Sequence, residues 1–209
     1  MLKVYNQLAG SSVERIAGLS DGVFAIAVTL IVLEIRLPEH LVVRDDWDLL
    51  AALARLGPQF LMYVMSFMTA GIFWVGQQTQ LNQLQRADRD LTWLHIGFLA
   101  CVAVVPFSTE LLARFITLRA ALVIYWLNIV VLGAWMLAAW RYAGRAGLLK
   151  PGVSDAVRRA VQRRVMVAQG LYALGAALCV VSTYWSIGFI AAVQLNYAVA
   201  PRLGVLRRL

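Results

Sequence analysis

Apolar positions along this chain do not alternate; they run on. Six runs can be marked, at about 13–36, 50–76, 91–107, 117–140, 165–183 and 185–201. A membrane-spanning helix needs about 20 largely apolar residues, so each run predicts one span. The breaks between runs carry helix-boundary signals. Ser11 and Ser12 precede the first run, where a hydroxyl can accept from a free N–H of the first turn. Leu37-Pro38 ends that run, and Gly57-Pro58 sits near the start of the second. A polar helical extension, QQTQLNQLQRADRD, leads to the third. Pro106, near the end of the third, predicts a kink or a stop, because it has no N–H for the helical ladder. The fifth and sixth runs form a hairpin with almost no loop, and Pro201 ends the last.

Composition agrees. Of 209 residues, 61% are hydrophobic and 14% charged, where about 25% charged is usual in a soluble domain. Mean hydropathy is +0.73. These values exclude an ordinary soluble domain and a disordered chain. Six spans take up about 120 residues, so no second domain fits. The expected fold is all-α, a single six-span transmembrane domain over 1–209. An Ala-x-Ala at Ala25 to Ala27 lies in mid-run, so the first run reads as a retained span and not as a cleaved signal.

The net charge is +8. No nucleic-acid motif accompanies it, and the cations lie mainly between and after the runs. The expectation is positive-inside topology and contact with anionic lipid, with no nucleic acid as partner. Five cations, Arg36, Arg44, Arg55, Arg114 and Arg119, fall on the far side of the membrane. The other 14 of 19 share the side of the N-terminus. Both termini are therefore expected in the cytoplasm, in a plasma or cell inner membrane. The segment 141–164 is the longest basic stretch and reads as a loop. Trp47 and Trp185 are expected near the outer interface, Trp93 and Trp140 near the inner one. Cys101 and Cys179 lie inside runs and read as small core residues.

No catalytic constellation appears. His40 and His95 are far apart in sequence. There is no carboxylate pair, nucleophile elbow or phosphate loop, and no Thr-Val-Gly-Tyr-Gly potassium filter. Neither an enzyme activity nor a cofactor or metal is expected. The two halves show no convincing similarity, so an inverted-repeat transporter finds no support.

The first run carries the unusual residues. A charge within a membrane helix is expensive and marks function by default. Arg15 and Asp21 are six residues apart, too far round the helix to pair at three or four residues. At least one of them needs a partner on another helix or subunit. Asp21 reads either as a packing staple near the cytoplasmic interface or as an ion ligand, and Arg15 can instead snorkel. Gly18 and Gly22 form a Gly-x-x-x-Gly, open to close approach by a helix of the same chain or of another. Beyond them, Gly22, Ile26, Thr29, Leu30 and Leu33 share one helical face. From spacing alone this stripe is lipid-facing, core or pore-lining. Thr29 is its one hydroxyl, and its plain role is back-bonding to the preceding turn.

Arg15, Leu19, Ser20, Asp21 and Ala25 resemble the Arg-x-x-x-Phe-Ser-Asp-x-x-x-Ala motif of the transmembrane protein 175 family of potassium channels, with Leu19 in place of the Phe. The following VFAIAVTLIVLEI is also similar, as are Phe73-Trp74, Trp93 and Pro106-Phe107. The histidines that usually follow the aromatic-Trp pair are replaced by Gln77 and Gln78. The resemblance implies a homotetramer of six-span subunits whose first helices surround a central pore without a carbonyl filter. It implies apolar constrictions at Ile26, Leu30 and Leu33, potassium preference through Thr29, and a supporting network of Arg15, Ser20, Asp21 and Trp74. The expected function is passive, leak-like, potassium-selective conduction. The alternatives are a proton-coupled secondary transporter and a non-transporting scaffold that works through 141–164.

Overall fold

The first helix, α1 (Val13–Val32), begins where a hydroxyl is available to begin it: Ser12 Oγ accepts from the Arg15 N–H at 3.2 Å. The computed structural model describes residues 12–38 and 41–199. After α1 the chain forms α2 (Asp46–Arg55), α3 (Gly57–Leu81), α4 (Arg89–Ala103), α5 (Val105–Arg114) and α6 (Arg119–Arg145). It ends in α7 (Asp155–Ala177), a 3-10 turn at Leu178–Val180 and α8 (Thr183–Val199). The fold is all-α. Four stretches are long and apolar enough to cross a membrane: Val13–Val32, Gly57–Leu81, Arg89–Arg114 and Arg119–Arg145. Among the other helices, α7 carries Arg158, Arg159, Arg163 and Arg164 in its first half, and α8 has 17 residues.

Helix ends depart from the apolar runs for local reasons. Helix α1 stops at Val32, and the Arg36 Nε donates to the Leu33 carbonyl at 3.0 Å, closing the end before Pro38. The second run contains two helices. Asp45 caps α2 by accepting from the Asp48 N–H at 2.8 Å, and the chain breaks at Leu56 so that Pro58 falls in the first turn of α3. The polar extension is helical only to Leu81. Pro106 does break the third run, at Val104. The basic stretch 141–164 is not one loop: α6 reaches Arg145, and α7 begins at Asp155. Gly147 (φ 68°) lets the chain leave α6 through a Schellman turn, in which the Leu148 N–H donates to the Ala143 carbonyl at 3.0 Å. Glu39, His40, Pro201, Lys3, Arg202, Arg207 and Arg208 lie outside the described residues.

Helix α1 packs on α3, α4 and α5; α6 packs on α4, α5 and α7; α8 packs on α3 and α7. Burial of apolar surface does not drive helices together inside lipid, so packing and polar ties must do so. Phe98 of α4 gathers Phe24 (ring centroids 6.0 Å apart) and Phe73 (6.3 Å), joining α1, α3 and α4. Buried Thr69 of α3 accepts from Gln194 Nε2 of α8 at 2.6 Å and lies 2.9 Å from the Tyr125 hydroxyl of α6. Trp140 is buried, and its Nε1 donates to the Arg158 carbonyl at 3.2 Å, because the start of α7 covers it.

Close approach of α4 and α6 depends on Gly97. A Cβ there would lie 2.8 Å from the Trp135 ring, so the indole must turn or the two helices must move apart. Gly97→Ala is expected to destabilise the fold by roughly 1–3 kcal/mol, seen as a lower melting temperature in detergent. An unchanged melting point would show that α4 and α6 separate freely.

Candidate functional site

Helix α1 has two faces of different kinds. Ile16, Ser20, Phe24, Ala27 and Ile31 are buried against the rest of the chain. Gly18, Gly22, Ile26, Thr29, Leu30 and Leu33 are exposed. Ile26 is 62% exposed, Leu30 43% and Leu33 59%. The stripe picked out by spacing is therefore a free surface of the single chain and not its core. The glycines are free as well: a Cβ at Gly18 or Gly22 would meet nothing within 4 Å. Among the described residues, no helix uses the Gly-x-x-x-Gly notch.

The buried face is held in rotation by two adjoining polar clusters. In the first, Ser20 Oγ donates to the Ile16 carbonyl at 2.8 Å. Its proton is committed there, so the oxygen accepts, and Gln77 Nε2 donates to it at 3.0 Å. Gln77 Nε2 also lies 3.1 Å from His95 Nδ1. Both N–H groups of one amide are thereby used if Nδ1 is the bare ring nitrogen. Ser20, Gln77 and His95 are all buried, so the cluster locks α1, α3 and α4 together inside the protein. In the second cluster, Asp21 Oδ1 accepts from Trp74 Nε1 at 2.8 Å and from Gln78 Nε2 at 3.0 Å. These groups are at the surface of the chain, and Asp21 Oδ2 has no partner among the described residues.

Among the residues singled out in the sequence, Ser20 of α1 is hydrogen-bonded to Gln77 of α3, and Asp21 to Trp74 and Gln78 of α3. Arg15 does not join them: its side chain is exposed and makes no hydrogen bond or ion pair among the described residues. Gln77 and Gln78, where the sequence departs from the family pattern, are the residues that make the tie. Each amide supplies N–H donors at the place the tie needs them. His95 was not singled out at all. Two signals pointed to it: a lone ionisable group in an apolar run needs a partner, and Ser66, Thr69, Gln77 and Gln80 share the buried face of α3.

Thr29 Oγ1 donates back to the helix, with the Ala25 carbonyl at 3.0 Å and the Ile26 carbonyl at 2.9 Å. Its proton is thus spent within the helix. The lone pairs of the oxygen stay free on the exposed stripe, where they can accept from water or face a cation. Between Asp21 and the C-terminal end of α1 the stripe carries no charge.

Residues 15–106, which hold every member of both clusters and the whole stripe, match the family described as the endosomal/lysosomal potassium channel TMEM175. The chain is 34% identical over 173 residues to a potassium channel of Streptomyces collinus, covering 80% of this chain and 82% of that one. It is 30% identical over 192 residues to a potassium channel of Chamaesiphon minutus, covering 90% and 94%. The endosomal/lysosomal proton channel TMEM175 of Homo sapiens is 34% identical over 109 residues, half of this chain and 22% of that one. Among solved structures, the crystal structure of a lysosomal potassium-selective TMEM175 homolog from Chamaesiphon minutus superposes with a TM-score of 0.78 at 28% identity. It covers 91% of this chain and 98% of that one. The likeness runs nearly end to end and includes the helix whose outward face is left free: this chain belongs to the TMEM175 family, which consists of membrane ion channels and not of enzymes.

Proposed function

We propose that the protein is a homotetrameric, potassium-selective channel of passive, leak-like conduction. Each subunit contributes six spans, α7 and α8 included, with both termini in the cytoplasm. Four copies of α1 surround the axis. Ile26, Leu30 and Leu33 form apolar constrictions, and Thr29 presents its oxygen to the ion. Ser20, Asp21, Trp74 and Gln77 hold the helix in register from behind.

The observation that carries this reading is the exposed stripe itself. A single chain leaves Gly22, Ile26, Leu30 and Leu33 uncovered while its opposite face is tied down by buried hydrogen bonds. An open groove beside it, lined by Ala25, Val28, Phe67, Gly71 and Trp74, fits the flank of a neighbouring subunit. Unpaired Arg15 and Asp21 Oδ2 then find partners between subunits. Selectivity over sodium is modest in this scheme, because an apolar ring cannot replace an ion's full hydration shell.

The test is flux into liposomes holding the purified protein. The expected result is electrogenic, non-saturating cation flux that is faster for potassium than for sodium, from a particle of four 23.1 kDa subunits. A pH gradient without potassium separates proton conduction from potassium conduction. Saturable flux coupled to protons points to a carrier. Absence of all flux from an intact tetramer overturns the conducting role and favours the scaffold.

A further inference from the structure

Arg159, Arg163, Met166, Gly170 and Leu174 follow one another along α7 at steps of four, three, four and four, so they share one face. All five are exposed. The face is cationic at the end where α7 begins and apolar beyond it. Neither arginine has a hydrogen bond or an ion pair among the described residues; the nearby pair joins Arg158 to Asp155 at 3.3 Å. Arg159 and Arg163 instead rim a shallow hollow completed by Gln162, Met166 and Val167. A Cβ at Gly170 would meet nothing within 4 Å, so the surface of α7 is open one turn beyond the hollow.

The place of α7 in the fold says what covers this face. Helix α1 packs on α3, α4 and α5, whereas α7 packs on α6 and α8. With α1 at an axis, α7 stands on the perimeter, where lipid is the neighbour. We infer that this face is a binding site for one anionic phospholipid per subunit, in the leaflet at the arginine end. Two guanidiniums one helical turn apart clamp the phosphate with paired N–H donors. Met166 and Leu174 carry the acyl chain, with Gly170 as the groove between them. A zwitterionic lipid has the same phosphate but brings its own cation towards the arginines, so net charge decides the preference. The inference rests on the membrane reading of the fold and on the proposed placement of α1 at the axis, but not on ion conduction.

Purified protein in detergent is titrated with phosphatidylglycerol and with phosphatidylcholine, and bound lipids per subunit are counted by native mass spectrometry. Wild type is expected to prefer phosphatidylglycerol. Arg159→Gln with Arg163→Gln weakens its binding roughly 25-fold, the product of about fivefold per cation. Arg159→Lys with Arg163→Lys retains part of the preference. Arg141→Gln with Arg145→Gln, the same charge loss on α6, leaves it intact. Free glycerol phosphate does not compete, because it lacks the chain. The inference is overturned if wild type shows no preference, if the Arg141 and Arg145 variant loses as much, or if glycerol phosphate displaces the lipid and shows an anion site only. Potassium flux measured on the same preparations keeps the two readings apart, since lost flux with intact lipid preference counts against the channel alone.

Discussion

Replacing Ile26 with asparagine is expected to raise potassium flux about tenfold and to bring potassium and sodium rates closer together. A tenfold gain corresponds to a barrier lowered by about 1.4 kcal/mol. The reason lies in the wall of α1. Ile26 is the most exposed of the three large stripe residues, and its side chain cannot hydrogen-bond to water. In the proposed tetramer a ring of four such side chains excludes water by dewetting, and an ion must shed part of its shell to pass. Four asparagines supply amide donors and acceptors at that ring. Water then stays, the ion keeps more of its shell, and the size difference between hydrated potassium and sodium matters less. Leu127→Asn, on an exposed position of α6 that does not pack on α1, is the control and should leave the rates unchanged. If Ile26→Asn leaves both rate and preference unchanged, the constriction is not at Ile26. If Leu127→Asn has the same effect as Ile26→Asn, a general loosening of the protein explains both.

The stripe at Ile26 was legible from spacing, but its direction was not. Periodicity says which residues share a face of α1 and nothing about what the face meets. The motif resemblance supplied the direction, and the exposure of the stripe in a single chain agrees with it. Hydropathy was less informative about where helices end. It runs smoothly through Leu56, Gly57 and Pro58, yet the chain breaks there into α2 and α3, because a proline needs a first turn and apolarity does not register that need. Trp140 shows the same limit: hydropathy does not reveal that the start of α7 covers its ring. Least visible was the pairing of Gln77 with His95. The two residues sit on different helices on either side of the turn between α3 and α4. No local rule brings them together; only the packing of α1 between those helices does.

That pairing carries a large expected loss of stability. Gln77→Leu keeps the approximate volume and removes both N–H donors. His95 Nδ1 then loses its donor inside the protein, and Ser20 Oγ keeps only its own bond to Ile16. An acceptor left unpaired in a buried site costs about 1–3 kcal/mol, partly offset because the unpartnered Gln77 Oε1 disappears with the amide. The net expectation is a loss of about 1–3 kcal/mol, read as a clear fall in melting temperature of the detergent-solubilised protein. Gln78→Leu is the comparison. It removes one donor from Asp21, but the Trp74 bond at 2.8 Å remains and the site lies at the surface of the chain and not in its core. Its cost should stay below about 1 kcal/mol. The two glutamines are neighbours in sequence and chemically identical, so any difference between the variants comes from burial and partners alone. In the proposed channel the same contrast extends to flux: freeing the buried face lets α1 rotate, the stripe drifts from the axis, and ion preference falls in Gln77→Leu but not in Gln78→Leu. Equal losses in the two variants would mean that Asp21 and Trp74, and not the buried Ser20 cluster, hold α1 in place.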